Sequence, residues 1–307
     1  MTRVSDYASQ QSILMEFMRA ERSMHETQRQ VATGKVSDDY QGIGSDLPVM
    51  LAAKSNAARA DKYLEAGEQV RRKLDIQDLQ LENFAAQATD LRQSVSEAVA
   101  NNSGIVIMDQ LDAIVRAAVA ALNTEVNGNH LFGGSRTDVE PVNISNLADL
   151  QAAAAIPDIF ENNALKPTAR IGDNETLEYG FLAEDVATDF FDAIKRIADF
   201  NAGPSGPFGV DLTQAQATFL TSEIQNLAAI VEQANETVAR NGVHFQVVDQ
   251  SIEQNTKLRD FMTLVVSDIE DVDLAEAVTR LNADQVMAEA TARVLADMTR
   301  LSLLDFI

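Results

Sequence analysis

Three histidines are the first residues to weigh for chemistry: His25, His130 and His244. An imidazole can serve as general base or metal ligand, but either task needs a second ligating or orienting group close by. The three stand far apart, and no two have metal-ligand spacing. His25 falls in an N-terminal arm and His244 in a long helical stretch, so each reads as a surface or seam residue. His130 ends Asn127-Gly128-Asn129-His130, just ahead of Leu131-Phe132-Gly133-Gly134-Ser135. A glycine-rich turn can cradle an anion through backbone N–H groups. This pattern matches neither the phosphate loop nor the dinucleotide fingerprint, and it reads as a tight turn in which glycine supplies positive φ. The acidic run Asp268, Glu270, Asp271, Asp273 lacks the central glycine and closing glutamate of a calcium loop. It reads as a solvated stretch before a helix, with Asp273 at that helix's N-terminus. No Ser/His/Asp set or paired-carboxylate motif stands out. Catalytic, cofactor-binding and metal-ligating residues are therefore expected to be none, and the chain is not expected to be an enzyme.

Composition narrows the field further. Of 307 residues, 46% are apolar, so a sizeable core is available. Twenty-four Lys and Arg against 47 Asp and Glu leave a net charge of −23, which argues against nucleic acid and anionic membrane surfaces as partners. Cysteine is absent, which removes disulfides, thiolate metal sites and Cys nucleophiles. No apolar run approaches the roughly 18 residues needed to span a bilayer. Polar residues recur from Thr2 through Ser12, so no signal-peptide core is expected there.

The elements that position these residues follow from breakers and periodicity. Five of the six prolines and eight of the 14 glycines lie between residues 128 and 209. The stretches 50–127 and 210–300 are nearly free of them. In steps of four and three from Val70 to Ala98, eight of nine positions are apolar; from Leu220 to Ile269, twelve of fifteen are. A 3.5-residue period held that long predicts coiled-coil seams, and fifty helical residues would make a rod on the order of 75 Å. Asn241 and Asn255 are polar entries in the second seam. Asn241 either fixes register or, with Gly242, marks a bend.

Weaker stripes run near both termini. Leu14, Phe17, Met24 and Val31 follow the same spacing, as do Leu274, Val278, Leu281, Ala288, Ala292 and Leu295. A short helix of this kind is marginal alone, so each needs a partner. The tip carrying Leu301, Leu304, Phe306 and Ile307 is apolar where chain ends are usually polar. Between the rods, Leu165–Ile171 and Thr176–Phe181 read as strands around the turn Gly172-Asp173-Asn174-Glu175. Glu184–Asn201 reads as a helix, closed by Gly203-Pro204-Ser205-Gly206-Pro207. The expected fold is mostly α: an elongated, discontinuous coiled-coil bundle built from both chain ends, with a small α+β insert. The expected parts are an N-terminal helical arm (1–45), two halves of a rod (46–136 and 210–269), the insert (137–209) and a C-terminal arm (270–307).

Several of these segments resemble the flagellin superfamily and, within it, the hook-associated proteins of the hook–filament junction. The residues that carry the likeness are Arg3-Val4-Ser5, Ala32-Thr33-Gly34-Lys35 and Leu131 through Asp138. At the C-terminus they are Ser267 through Ala277 and the ending Leu301-Ser302-Leu303-Leu304-Asp305-Phe306-Ile307. One departure is Val36-Ser37-Asp38-Asp39-Tyr40, where relatives carry a proline after the Asp pair; here the proline is Pro48. The resemblance implies a structural protein that is exported unfolded through the flagellar type III apparatus, without a cleaved signal. It implies assembly outside the cell, at the hook–filament junction, as a homo-oligomeric ring between the first hook-associated protein and flagellin. The terminal helices would pair in the inner core and become ordered on assembly. A cytoplasmic export chaperone would contact the C-terminal region, and Leu301, Leu304, Phe306 and Ile307 are its candidate contacts. Two other readings stay open: a minor flagellin of the filament itself, and a cytoplasmic coiled-coil scaffold.

Overall fold

The computed structural model describes residues 2–304, with side chains described for Ala8 and for residues 11–297. The chain is mostly helical. Its order is α1 (Thr2–Thr33), a 3₁₀ turn (Gly44–Asp46), α2 (Leu47–Ala100), α3 (Ile107–Leu122), β1 (Glu125–Val126), β2 (Asn129–His130) and α4 (Leu147–Ala152). A second 3₁₀ turn (Ile156–Ile159) follows, then β3 (Thr168–Arg170), β4 (Thr176–Glu178), α5 (Ala183–Ala202), α6 (Gln214–Glu270) and α7 (Leu274–Leu304). By packing, the chain forms two compact units: Met1–Arg59 with Lys257–Ile307, and Ala60–Thr256. Helices α2 and α6 each supply residues to both.

The Ala60–Thr256 unit holds the larger core. Leu81, Phe84, Leu91 and Val95 of α2, Leu111 and Val115 of α3, Phe190, Phe191 and Ile194 of α5, and Leu220 and Leu227 of α6 are buried together. The expected seams account for the α2 and α6 members. α5 closes the cluster with two consecutive phenylalanines: the Phe84 and Phe190 ring centroids lie 5.0 Å apart, and those of Phe190 and Phe191 5.4 Å. Tilted and edge-to-face aromatic pairs of this kind add to what burial already contributes. The helix expected within the 137–209 segment thus belongs to the same core as the long helices. Arg196 of α5 grips the buried Glu223 of α6 through Nε and Nη2, at 3.2 and 3.0 Å. That fork, with Asp192 on its other side, raises the guanidinium's affinity for its proton.

The expected hairpin forms. β3 pairs with β4 antiparallel, with Ala169 opposite Leu177. A polar entry of the long seam, Asn255, and its neighbour Ser251 hold it in place: Ser251 Oγ and Asn255 Nδ2 donate to the Ile171 carbonyl at 2.7 and 3.0 Å. Asn241 takes the register role. α6 runs through it without a break, and its fully buried amide donates to Leu74 O (3.2 Å) and Asp78 Oδ1 (2.9 Å).

A shorter hairpin, β1–β2, was not anticipated. Asn127 and Gly128 occupy its two turn positions with φ of 53° and 79°. An Asn-Gly pair is the favoured type I′ hairpin signal, so the cue was present in the residues already singled out. The strands are too short, at two residues each, for alternation to register.

Candidate assembly surface

In the unit formed by Met1–Arg59 and Lys257–Ile307, α1 and α7 pack side by side and antiparallel. The connectors fix that direction. Gly34 ends α1 with φ of +73°, a conformation open to glycine and costly for other residues. Val36 N–H then donates to Glu270 O at 2.8 Å, and Val272 N–H donates to Gly34 O at 2.9 Å. The loop leaving α1 and the turn entering α7 are thus stitched together. Asp273 caps α7, its Oδ1 accepting from Ala275 and Glu276 N–H at 2.9 and 3.2 Å.

Glu270 is the electrostatic centre of this joint. Lys35 Nζ lies 2.5 Å from its Oε1 and Lys54 Nζ 2.6 Å from its Oε2. The two ammonium hydrogen bonds hold the Glu270 carboxyl below the usual carboxylate range, and the same contact raises Lys35. Of the acidic run read as solvated, Glu270 is therefore paired, while Asp271 and Asp273 are exposed.

The seam between the two helices is lined by small residues. Ala20, Thr27, Ala277 and Ala288 are buried. Phe17, Met24, Val31, Leu281, Ala292 and Leu295 are half-buried beside them, whereas Leu14, Leu274 and Val278 are exposed. Leu301 and Leu304 lie in the α7 backbone with side chains outside the described set, and Phe306 and Ile307 lie outside the described residues altogether. The outer faces carry further apolar groups, among them Met15, Met18, Val286, Met287 and Val294, each between 47% and 69% exposed. On the same unit, Val49 and Phe261, exposed by 55% and 60%, border an apolar groove floored by Ala53. Scattered exposed apolar residues are ordinary; a run along paired helices makes this face a candidate interaction surface.

Of the histidines, His25 is exposed, and His130 takes its place in β2 with Nδ1 3.0 Å from Asn123 O. His244 stacks on Phe181 with centroids 5.7 Å apart. Burial, with Arg240 and Lys166 nearby, pushes its proton affinity down. Among the described residues no group of three His, Asp or Glu could hold a metal ion, and no helix is long and apolar enough to cross a membrane.

Long helices drawn from both chain ends, with short strands between them, define a fold shared with flagellar hook-associated proteins. A protein described as a flagellar hook-associated protein from Vibrio parahaemolyticus matches 76% of this chain and 99% of its own, with TM-score 0.60 and 13% identity. FlgL from Bacillus cereus matches 70% of this chain and 98% of its own, with TM-score 0.51 and 13% identity. At that identity the likeness is one of fold. Residues 224–307, the greater part of α6 with all of α7, match the bacterial flagellin C-terminal helical region. No curated protein sequence matches the chain.

Proposed function

We propose that this chain is a structural subunit of the bacterial flagellum, of the hook-associated or flagellin type, and that its chemistry is assembly. The observation that carries the reading is where the flagellin C-terminal match falls. It covers α7, the helix that pairs back on α1 and leaves apolar residues exposed on its outer face. Burying such residues against further copies stabilises an assembly by about 25 cal/mol per Å² of apolar surface. The finer reading is an adaptor ring joining the hook to the filament, with copies of itself, the first hook-associated protein and flagellin as neighbours. In that reading the chain leaves the cell unfolded through the flagellar export apparatus, with a chaperone holding its C-terminal segment beforehand. The arms 1–45 and 270–307 form the inner part, and Leu14, Leu274 and Val278 are among the residues that neighbouring copies cover.

The flagellin match also favours a second reading, a minor flagellin of the filament itself. Shearing flagella from cells and counting the chain against flagellin separates the two. The junction reading expects a few copies per flagellum, and purified chain that forms no long filaments alone. Thousands of copies, or spontaneous filaments, would favour the flagellin reading. Absence from sheared flagella would remove both and leave the cytoplasmic scaffold.

A further inference from the structure

Within the Ala60–Thr256 unit, α2, the β1–β2 hairpin and the segment around Tyr179 line a cavity of about 620 Å³. Small-molecule sites have volumes of this order. The chain carries 47 acidic residues against 24 basic ones, yet this cavity is lined by Arg72 and Lys73 and by no Asp or Glu. Arg71, one residue earlier, pairs with Asp249 at 3.5 Å. Arg72 and Lys73 have no carboxylate partner among the described residues. Lys73 instead lies over the Tyr179 ring, its Nζ 5.9 Å from the centroid and 3.4 Å from the hydroxyl oxygen. Tyr179 is only 6% exposed, so it offers the ammonium a fixed seat, and ordering that side chain in advance lowers the cost of binding. Both cations are exposed, which places their charge at the cavity's opening.

The inner wall supplies the opposite chemistry, acceptors. Gln77 is 2% exposed. Its Nε2 donates to Leu131 O at 3.1 Å, while its Oε1 has no donor. A buried acceptor in that state costs free energy that an arriving donor recovers. His130 adds a second acceptor. Asn123 O, 3.0 Å from its Nδ1, can only accept, so Nδ1 carries the proton of the neutral ring and Nε2 keeps a lone pair. Asn129 donates through Nδ2 to Asn127 O at 3.1 Å and leaves Oδ1 as a third.

We propose that this cavity is a binding site for a small hydroxylated carboxylate of the acidic-sugar class. Arg72 and Lys73 take the carboxylate; Gln77, His130 and Asn129 accept from the hydroxyls. Acceptors beside the cations call for O–H groups, which a bare anion lacks. Phosphate sites are commonly built from backbone N–H groups at a helix N-terminus or a nest, whereas both cations here lie in the interior of α2. A single negative charge also suits the chain, since each further one adds repulsion from a net −23. The proposal goes beyond the flagellar reading and stands whether or not that reading holds.

Ligand-observed NMR titration of the full-length protein with glucuronate tests it. Glucose carries the hydroxyls without the carboxylate, acetate the carboxylate without the hydroxyls, and inorganic phosphate a bare anion. The expected result is saturable glucuronate binding at least about tenfold tighter than that of the other three. Arg72→Gln with Lys73→Gln should weaken it by about tenfold or more with helix content unchanged. Arg71→Gln removes the same charge next door but outside the cavity, and should leave binding at the parent's level. If the double variant fails to fold, Lys73→Gln alone decides by the same measure. The proposal is overturned if glucuronate does not saturate, or if acetate, glucose or phosphate binds as tightly. It is equally overturned if the double variant binds like the parent, or if Arg71→Gln weakens binding as much as the double variant does.

Discussion

Glu270 illustrates how much a single side chain does in this fold. Its two oxygens answer two lysines from separate segments, Lys35 after α1 and Lys54 in α2, while its own carbonyl accepts from Val36. Because its carboxyl is held below the ordinary carboxylate range, the stability it contributes is present above that range and is lost as pH falls through the lowered value. Protection of the Val36 and Val272 amides, the two stitching N–H groups, taken relative to their intrinsic exchange rate at each pH, is therefore expected to fall in acid. Glu270→Gln should show the lowered protection already at neutral pH and lose its dependence on the Glu270 carboxyl. Protection in the variant that stays high and titrates as before would remove Glu270 from this role. His244 works in the same direction by a different route. Its neutral form is favoured by burial, so as pH falls through the histidine range the Ala60–Thr256 unit should become easier to unfold. His244→Phe, which keeps the stack on Phe181, should lose that dependence.

At the scale of elements, the long helices were the most legible part of the sequence. Eight of nine and twelve of fifteen apolar positions identify seams because large side chains repeat over many turns, and burial on α2 and α6 follows them. Asn241 could not be assigned from sequence, since an Asn-Gly pair fits both a bend and a register device. The decision came from Leu74 and Asp78, more than 160 positions away. The terminal seam was harder to read for a physical reason. Of its buried positions the apolar spacing picks out Ala288, but it passes over Ala20, Thr27 and Ala277, small or polar residues, in favour of neighbours such as Leu274 and Val278, which are exposed. The joint between α1 and α7 was partly legible: Gly34 was singled out as part of a motif, and its φ of +73° supplies the reason for glycine. A β-carbon at Gly34 would meet nothing within 4 Å, so Gly34→Ala isolates the backbone effect. It should destabilise the helix end by about 1 kcal/mol, measured by chemical denaturation. An unchanged midpoint would mean the left-handed turn is not required.

For the whole molecule, the division into two units yields a separable prediction. The Ala60–Thr256 unit carries its own core of aromatic and aliphatic residues from α2, α3, α5 and α6. Deleting 1–35 or 270–307 should therefore leave that core folded, with a cooperative melt and its near-ultraviolet aromatic signal intact, while abolishing assembly into flagella. A truncated chain that still joined hook to filament would show that the paired arms are not the assembly element. The net charge of −23 is unevenly spread. Residues 1–36 hold five basic groups (Arg3, Arg19, Arg22, Arg29 and Lys35) against four acidic ones (Asp6, Glu16, Glu21 and Glu26), so the acidity lies beyond the N-terminal arm. The central claim, that this chain is a flagellar subunit sited between hook and filament, is tested most directly by labelling it on intact flagella and imaging where the label lies. The account predicts a single band at the hook–filament boundary; label spread along the shaft, or none on the flagellum, would contradict it.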